Sequence, residues 1–386
     1  MTDLLDPALH ASGEIMEVFR TLRASSPVAW CVGRRGPGYW AITGHPELVE
    51  AARDVETFSS FWGTRPEVVR PEGSARPLHN LDPPEHGALR AVAARAVTTA
   101  AIDALGRQID AIVTETVERL IHLGGGDVVT DIAEPIVMRV FAAWIGMAPE
   151  VAPALLGCVT AVHSAGAALL DLAKDDPRRP ERVAVARRAT EAMAALVQRT
   201  LDAAPAGSAF AQLHALSPME AVRLGALFVE AGMPTLIDAL GSGVVDLIEH
   251  PLVRIDEDLP SAIEELLRRA SPIAQFARLA TRRIVLAGET IEAGDQIVLW
   301  FASANRDERV FPDPDAFVLR RTPNPHVAFG VGPHRCIGAA LGRRVLRSFF
   351  AAWPADRVRA AGPFERRASS YLHGYARAPI ALRPVD

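Results

Sequence analysis

Cysteine is scarce in this 386-residue chain: Cys31, Cys158 and Cys336 stand far apart, odd in number and without a C-x-x-C pair. A disulfide framework or a structural zinc site is therefore not expected, and the pattern suits a reducing cytoplasm. No basic segment followed by an apolar run opens the chain, so no signal peptide is expected. No stretch approaches about 18 uninterrupted apolar residues, so no membrane span is expected and the protein should be free in the cytosol. Charge of one sign is not concentrated anywhere. Net charge is -5, spread along the chain, and no basic block suggests a nucleic-acid partner. There is no internal repeat and no low-complexity linker. Only three tyrosines occur, too few to read an aromatic cage from the sequence.

What is present is a globular composition: 49% apolar and 23% charged residues. The length is enough for a core that encloses something of cofactor size. One domain over 1–386 is expected, mainly α with a small β region. Residues 28–43 read as a small hairpin, and 59–80, rich in proline and glycine, as a long ordered loop. Helical periodicity runs from Pro84 to Leu123, stopping at Gly124–Gly126, then over Asp131–Ile145, Pro149–Leu172, Pro180–Ala203, Pro218–His250 and Leu259–Arg269. The 218–250 helix is apolar all round between Leu224 and Leu240, which predicts burial. Strands follow near 284–286 and 296–300, then a proline-rich loop and a last helix over Ile337–Trp353. Helices in series with a few late strands argue against a doubly wound sheet.

The most informative segment is Phe329-Gly330-Val331-Gly332-Pro333-His334-Arg335-Cys336-Ile337-Gly338. A lone cysteine is ordinarily a small buried hydrophobe. Here a glycine-rich turn places Cys336 just before a helix, where the helix dipole favours a thiolate. A thiolate ligates iron, and its electron donation helps split an O–O bond. Glycine lets backbone approach a flat cofactor.

This segment resembles the ligand loop of the cytochrome P450 family, Phe-x-x-Gly-x-His/Arg-x-Cys-x-Gly, at every fixed position. The resemblance implies a P450-like fold and a haem b whose iron is held by Cys336, with Phe329, Gly330 and Gly338 shaping the loop. Three further blocks carry it. Glu265-Leu266-Leu267-Arg268 would pair at i and i+3, a buried tie to the meander from Asn305 to Phe317 in the family and only a weak surface pair otherwise. Asp82-Pro83-Pro84-Glu85-His86 opens a helix that reaches Arg90. His86, Arg90, Arg278 and His334 match positions that bind the haem propionates, whose buried carboxylates need such partners. His326 could instead serve the loop.

The third block, Glu230-Ala231-Gly232-Met233-Pro234-Thr235, resembles the family's oxygen-activating Ala/Gly-Gly-x-Asp/Glu-Thr segment. Ala231, Gly232 and Thr235 match. Pro234 stands where the family has an acid. Proline relays no proton and removes a helical hydrogen bond. Either it fixes a kink the family already has, or proton delivery runs through Thr235 with water, a substrate group or Glu230. Glu230 is more plainly a structural carboxylate.

The resemblance implies an O2-dependent monooxygenase that oxidises a small organic or carrier-bound substrate, with hydroxylation leading and oxidative coupling, ring closure or desaturation as the alternative. A role in secondary metabolism is expected. Pocket positions by resemblance are Phe228, Thr235, Ile273, Ala274 and Leu372, with Ala231 and Gly232 beside them. His163 and His373 are candidate polar anchors, each more plausibly a bland neighbour. No flavin or iron–sulfur segment is visible, so a separate ferredoxin or flavodoxin is expected to supply electrons. Arg335, Arg343, Arg344 and Arg347 could steer it. Two rivals are weaker. A non-catalytic haem sensor leaves the Ala231–Gly232 gap and Thr235 unexplained, and a cysteine-nucleophile hydrolase leaves the propionate set unexplained.

Overall fold

A computed structural model describes residues 2–33, 38–66, 76–172 and 175–383. In chain order, α1 (Pro7–Ser12) and α2 (Ile15–Ser25) precede β1 (Val28–Cys31) and β2 (Tyr39–Ile42). Then come α3 (His45–Arg53), β3 (Phe58–Ser59), α4 (Glu85–Arg95), α5 (Thr99–Leu123), β4 (Gly125–Asp127) and α6 (Glu134–Ile145). The series continues with α7 (Ala152–Asp171), α8 (Arg179–Asp202), α9 (Pro218–Glu249) and α10 (Leu259–Ala270). A strand-rich stretch follows: β5 (Gln275–Ala280), β6 (Ile284–Leu286), β7 (Glu289–Ile291) and β8 (Gln296–Trp300). It leads through α11 (Phe301–Ala304) to α12 (Ala339–Ala352). The chain closes with β9 (Val358–Ala360), β10 (Glu365–Arg366), β11 (Tyr375–Arg377) and β12 (Pro379–Leu382). The architecture is mainly α with a small β region, as expected.

Contacts divide the chain into two compact units, one of residues 1–87, 241–336 and 362–378, the other of 88–240, 337–361 and 379–386. The first holds a five-stranded sheet in the order β1-β2-β8-β5-β3, with β2 and β8 parallel and the other neighbours antiparallel. Strand alternation sorts β8 between two cores. Ile297 and Leu299 pack with Ile42, Leu48, Ala51 and Ala52. Val298 and Trp300 pack on the opposite face with Leu4, Ile15 and Phe19. The strand is apolar on both sides because helical segments cover both sides.

The second unit is helical, with a three-stranded sheet β4-β12-β9. The helix expected from Pro84 to Leu123 is two helices. Thr98 is extended (φ -63°, ψ 152°) and its hydroxyl accepts the Ala101 N–H, which starts α5 afresh. Gly124, at φ 73°, ends α5 as expected. The next helix begins at Glu134 rather than Asp131, because the Asp127 carboxylate accepts the Val129 and Thr130 N–H groups and holds 128–133 in a wider turn. Two helices, Pro149–Leu169 and α9, are long and apolar enough by composition to cross a bilayer, although neither holds an uninterrupted apolar run. In α9 67% of the most apolar window is buried, the mark of a core helix, against 22% around α7.

Candidate active site

The loop before α12 is shaped by its glycines. Gly330 and Gly332 have φ of 67° and 75°. A side chain on Gly332 would also meet the Ala52 carbonyl oxygen at 2.7 Å, so only glycine fits there. The Cys336 N–H donates to the Phe329 carbonyl at 2.8 Å, closing the turn. Of the three cysteines, Cys31 is buried, Cys158 half-buried and Cys336 exposed. Burial pushes the Cys31 thiol up to about 11 and raises that of Cys158, so neither favours a thiolate. Gly338 caps α12, its carbonyl accepting from Gly342.

Three of the four expected propionate donors lie in the first unit. His86 is buried, and its ring lies 4.2 Å from that of His334. His334 Nε2 is 3.2 Å from the Ser60 hydroxyl. Arg278, on β5, is 4% exposed and donates to the Ala277 carbonyl at 2.8 Å. Burial pushes its guanidinium down to about 10, with only Asp82 acting against that. A buried cation held by one carbonyl is suited to a carboxylate-bearing ligand. The expected haem therefore fits on two counts, an exposed thiol and a buried guanidinium without a carboxylate ion pair among the described residues. Arg90 sits four residues beyond His86 on α4, half-buried. His326 serves the loop, its Nε2 2.9 Å from Glu264 and its Nδ1 accepting the Ala328 N–H.

The Glu265–Arg268 pair is a buried tie. Both side chains have no exposed area, and Arg268 donates to Glu265 through two bonds of 2.9 and 2.8 Å. Arg268 also donates to the Asn305 carbonyl, while Glu265 accepts from the Val318 N–H and from Arg321. The Arg321 contact was not legible in the sequence. Burial pushes the Glu265 carboxyl up, but Arg268, Val318 and Arg321 together outweigh it and hold it below the ordinary value.

On α9 the helical spacing sorts the candidate residues onto different faces. Ala231 is exposed, and Glu230 and Thr235 are partly so, forming one open stripe. The Thr235 hydroxyl donates to the Ala231 carbonyl at 2.8 Å. Glu230 lies 3.9 Å from His163 of α7. Gly232 and Phe228 point elsewhere. A Cβ on Gly232 would sit 2.4 Å from Phe141 of α6, and the Phe228 ring packs 5.2 Å from Trp144. The small size of Gly232 makes room for Phe141, and Phe228 is core rather than lining. Of the two small residues expected beside the oxygen site, Ala231 is exposed and Gly232 lies against Phe141.

The other pocket segments converge in the first unit. Ile273 bridges to Leu372, and the Ala274 N–H donates to the Tyr371 carbonyl at 2.8 Å. Ala274 itself is fully buried in the core with Trp300, so Ile273 is the more open of the two. His373 is committed to structure: its Nδ1–H donates to the Ala270 carbonyl at 2.7 Å. Residues 67–75 of the long loop expected over 59–80 lie outside the described residues. Of the expected basic set, Arg335 and Arg347 are exposed and Arg343 is half-buried. Arg344 is held by Asp110 at 2.7 Å and by the Gly106 carbonyl at 2.8 Å, so it braces α12 on α5.

The family profile described as Cytochrome P450 matches residues 259–353. A steroid C26-monooxygenase of Mycolicibacterium smegmatis is 30% identical over 99% of this chain and 96% of its own. A methyl-branched lipid omega-hydroxylase of Mycobacterium bovis is 30% identical over 94% and 90%. The solved structure of a Mycobacterium marinum cytochrome P450 in complex with pseudoionone superposes at a TM-score of 0.85, with 27% identity and 98% of both chains covered. The loop, the buried tie and the relatives lead to one conclusion: the chain belongs to the cytochrome P450 family, oxidoreductases of the monooxygenase type that work with a cysteine-ligated haem iron.

Proposed function

We propose that this P450 hydroxylates a small lipophilic substrate, with Cys336 as the iron ligand and electrons delivered by a separate ferredoxin. The observation that carries this reading is the exposed Cys336 thiol on its glycine turn, three residues before α12. His86, Arg90, Arg278 and His334 are assigned to the haem propionates, and Phe329, Gly330 and Gly338 to the loop that holds the cofactor. When bound, the haem supplies O2 activation and two-electron redox chemistry. The protein's share is to hold the cofactor, keep the thiolate charged and position substrate.

On α9, Ala231 leaves room on the open stripe, and Thr235 presents a hydroxyl anchored on the Ala231 carbonyl. Pro234 carries no proton, so Glu230, beside His163, is the ionisable group that α9 offers on that stripe. Ile273 and Leu372 are assigned to the substrate wall. The two named relatives act on a steroid and a lipid, which favours an apolar substrate hydroxylated at carbon. Work as one domain, a place in secondary metabolism and a cytoplasmic location belong to the same proposal.

A second reading is favoured by Pro234 alone: coupling, ring closure or desaturation, which place different demands on proton delivery. Three measurements test the ligand, the substrate class and the reaction type in turn. The ferrous–CO difference spectrum of wild type should show the thiolate-type Soret band, and Cys336→Ala should lose it while keeping helical circular dichroism. A retained band would remove Cys336 from its role. Titration of the ferric enzyme with steroids, terpenes, aromatic acids, cyclic dipeptides and macrolides should then shift the Soret band with one class. An azole that binds while no free compound does would point to a carrier-bound substrate, and product analysis distinguishes hydroxylation from coupling.

A further inference from the structure

Most strongly buried arginines in the described part of the molecule have an acid. Arg268 has Glu265, Arg269 has Asp246 and Arg23 has Glu308. Arg65 differs. It is half-buried, forms no ion pair among the described residues, and its guanidinium carbon lies 3.4 Å from the centroid of the Tyr371 ring. At that distance the planar cation is seated on the ring face, where cation–π attraction fixes it. Stacking uses the faces of the guanidinium and leaves its in-plane N–H groups for another partner.

The seat is built rather than incidental. The Thr64 carbonyl accepts the Ala277 N–H at 2.9 Å, which pins the backbone next to Arg65 on β5. Tyr371 is pinned by its carbonyl to Ala274, next to the Ile273–Leu372 bridge. Its ring lies 5.8 Å from that of Phe276, which in turn stacks 6.4 Å from His79. The other arginine of this region, Arg76, is already used, lying over Phe61 and donating to its carbonyl at 2.7 Å. Arg65 is thus a preorganised cation on an aromatic wall next to the Ile273–Leu372 bridge assigned to substrate.

We propose that Arg65 recognises the carboxylate of an acidic substrate, whose apolar body lies along Phe276 and Ile273. This rests on the reading of Ile273 and Leu372 as substrate wall. The guanidinium fork matches a carboxylate through two parallel N–H···O bonds. Because it is already stacked, little side-chain freedom is lost on binding.

The test uses the purified holoenzyme and matched ligands: dodecanoate against dodecanol and methyl dodecanoate, and cinnamate against cinnamyl alcohol. Binding is read by equilibrium dialysis and, independently, by the ferric Soret shift. Wild type should bind at least one acid about 10-fold or more tightly than its neutral partners. Arg65→Gln should bring that ratio to within about 2-fold and leave the Kd of the neutral ligands unchanged. Arg65→Lys should keep part of the preference, since a point charge lacks the fork. The proposal is overturned if wild type binds no acid by dialysis, if it shows no preference in either series, or if Arg65→Gln weakens acid and alcohol equally. A wild-type ferrous–CO spectrum without the thiolate band would instead overturn the haem reading. Dialysis reports on Arg65 either way.

Discussion

Gly232 and Pro234 show how much one side chain, or its absence, decides on α9. At Gly232 alanine gains helix propensity of about 1 kcal/mol. Its Cβ would stand 2.4 Å from Phe141 Cζ, and overpacking of that kind costs about 1–3 kcal/mol. The clash should win, so Gly232→Ala is expected to lower Tm and Phe141→Leu in the same chain to restore much of it. A double-mutant cycle without coupling would place the Phe141 ring elsewhere. Pro234→Glu puts an acid where the family has one and returns a backbone N–H to the helix. Peroxide released per electron pair consumed should fall if proton delivery limits wild type. An unchanged ratio would mean that Glu230, Thr235 or substrate already delivers protons adequately. The matched Ala231, Gly232 and Thr235 made this region legible from sequence. That Gly232 faces α6 was not, because the motif gives spacing but not the neighbour across the gap.

Between elements, the tie from α10 to the meander matters most. Arg268 reaches the Asn305 carbonyl while Glu265 holds Val318 and Arg321, so one pair fixes both ends of a segment with little regular structure. Glu265→Gln removes the charge that compensates Arg268 and Arg321. Breaking a fully buried pair costs about 3–5 kcal/mol. The variant is expected to lose a large part of its denaturant midpoint and to retain less haem. A midpoint within about 0.5 kcal/mol of wild type would mean water compensates Arg268. In sequence this pair was indistinguishable from a solvated i,i+3 pair, and only the family resemblance gave it weight. The opposite happened at Arg344. A basic stripe on α12 looked like a docking surface, but Asp110 of α5, 234 residues earlier in the chain, holds that side chain. Helices α1, α2 and α3 were not foreseen at all. They are short, and their apolar positions become a pattern only against the sheet faces they cover.

For the whole molecule, acid stability should be set by a histidine before any carboxylate. Burial pushes His373 down to about 3, against which the Ala270 carbonyl acts too weakly. The unfolded chain therefore takes up a proton near the ordinary value of 6.5 while the folded chain does not. A depressed folded value means the stability is fully present above about pH 6.5 and is lost as pH falls toward about 3. Burial also lowers His10 and His45, adding to the same trend. Glu265 is depressed as well, and its contribution disappears only as pH falls below about 4. The denaturant midpoint should begin to drop between pH 6.5 and 5, and His373→Gln should reduce that early slope while keeping the loss below about pH 4. A flat midpoint from pH 7 to 5 would rule out His373 as a buried neutral ring.

The sequence by itself determined the helical class and, through its resemblance to the P450 ligand loop, the family and its haem chemistry. Those rest on local rules: glycines where backbone must turn, a cysteine ahead of a helix, and apolar period along α9. Tertiary structure decided what each polar group does. Glu265 became a buried anchor and Arg344 a brace, while Gly232 made room for Phe141 and Arg65 was seated on Tyr371. Glu265 depends on Val318 and Arg321, 53 and 56 residues away, and the partners of Gly232, Arg344 and Arg65 are farther along the chain still. Spacing along a chain fixes which side chains share a face. Only packing fixes what that face meets, and for charged and small residues the meeting is what sets the energy.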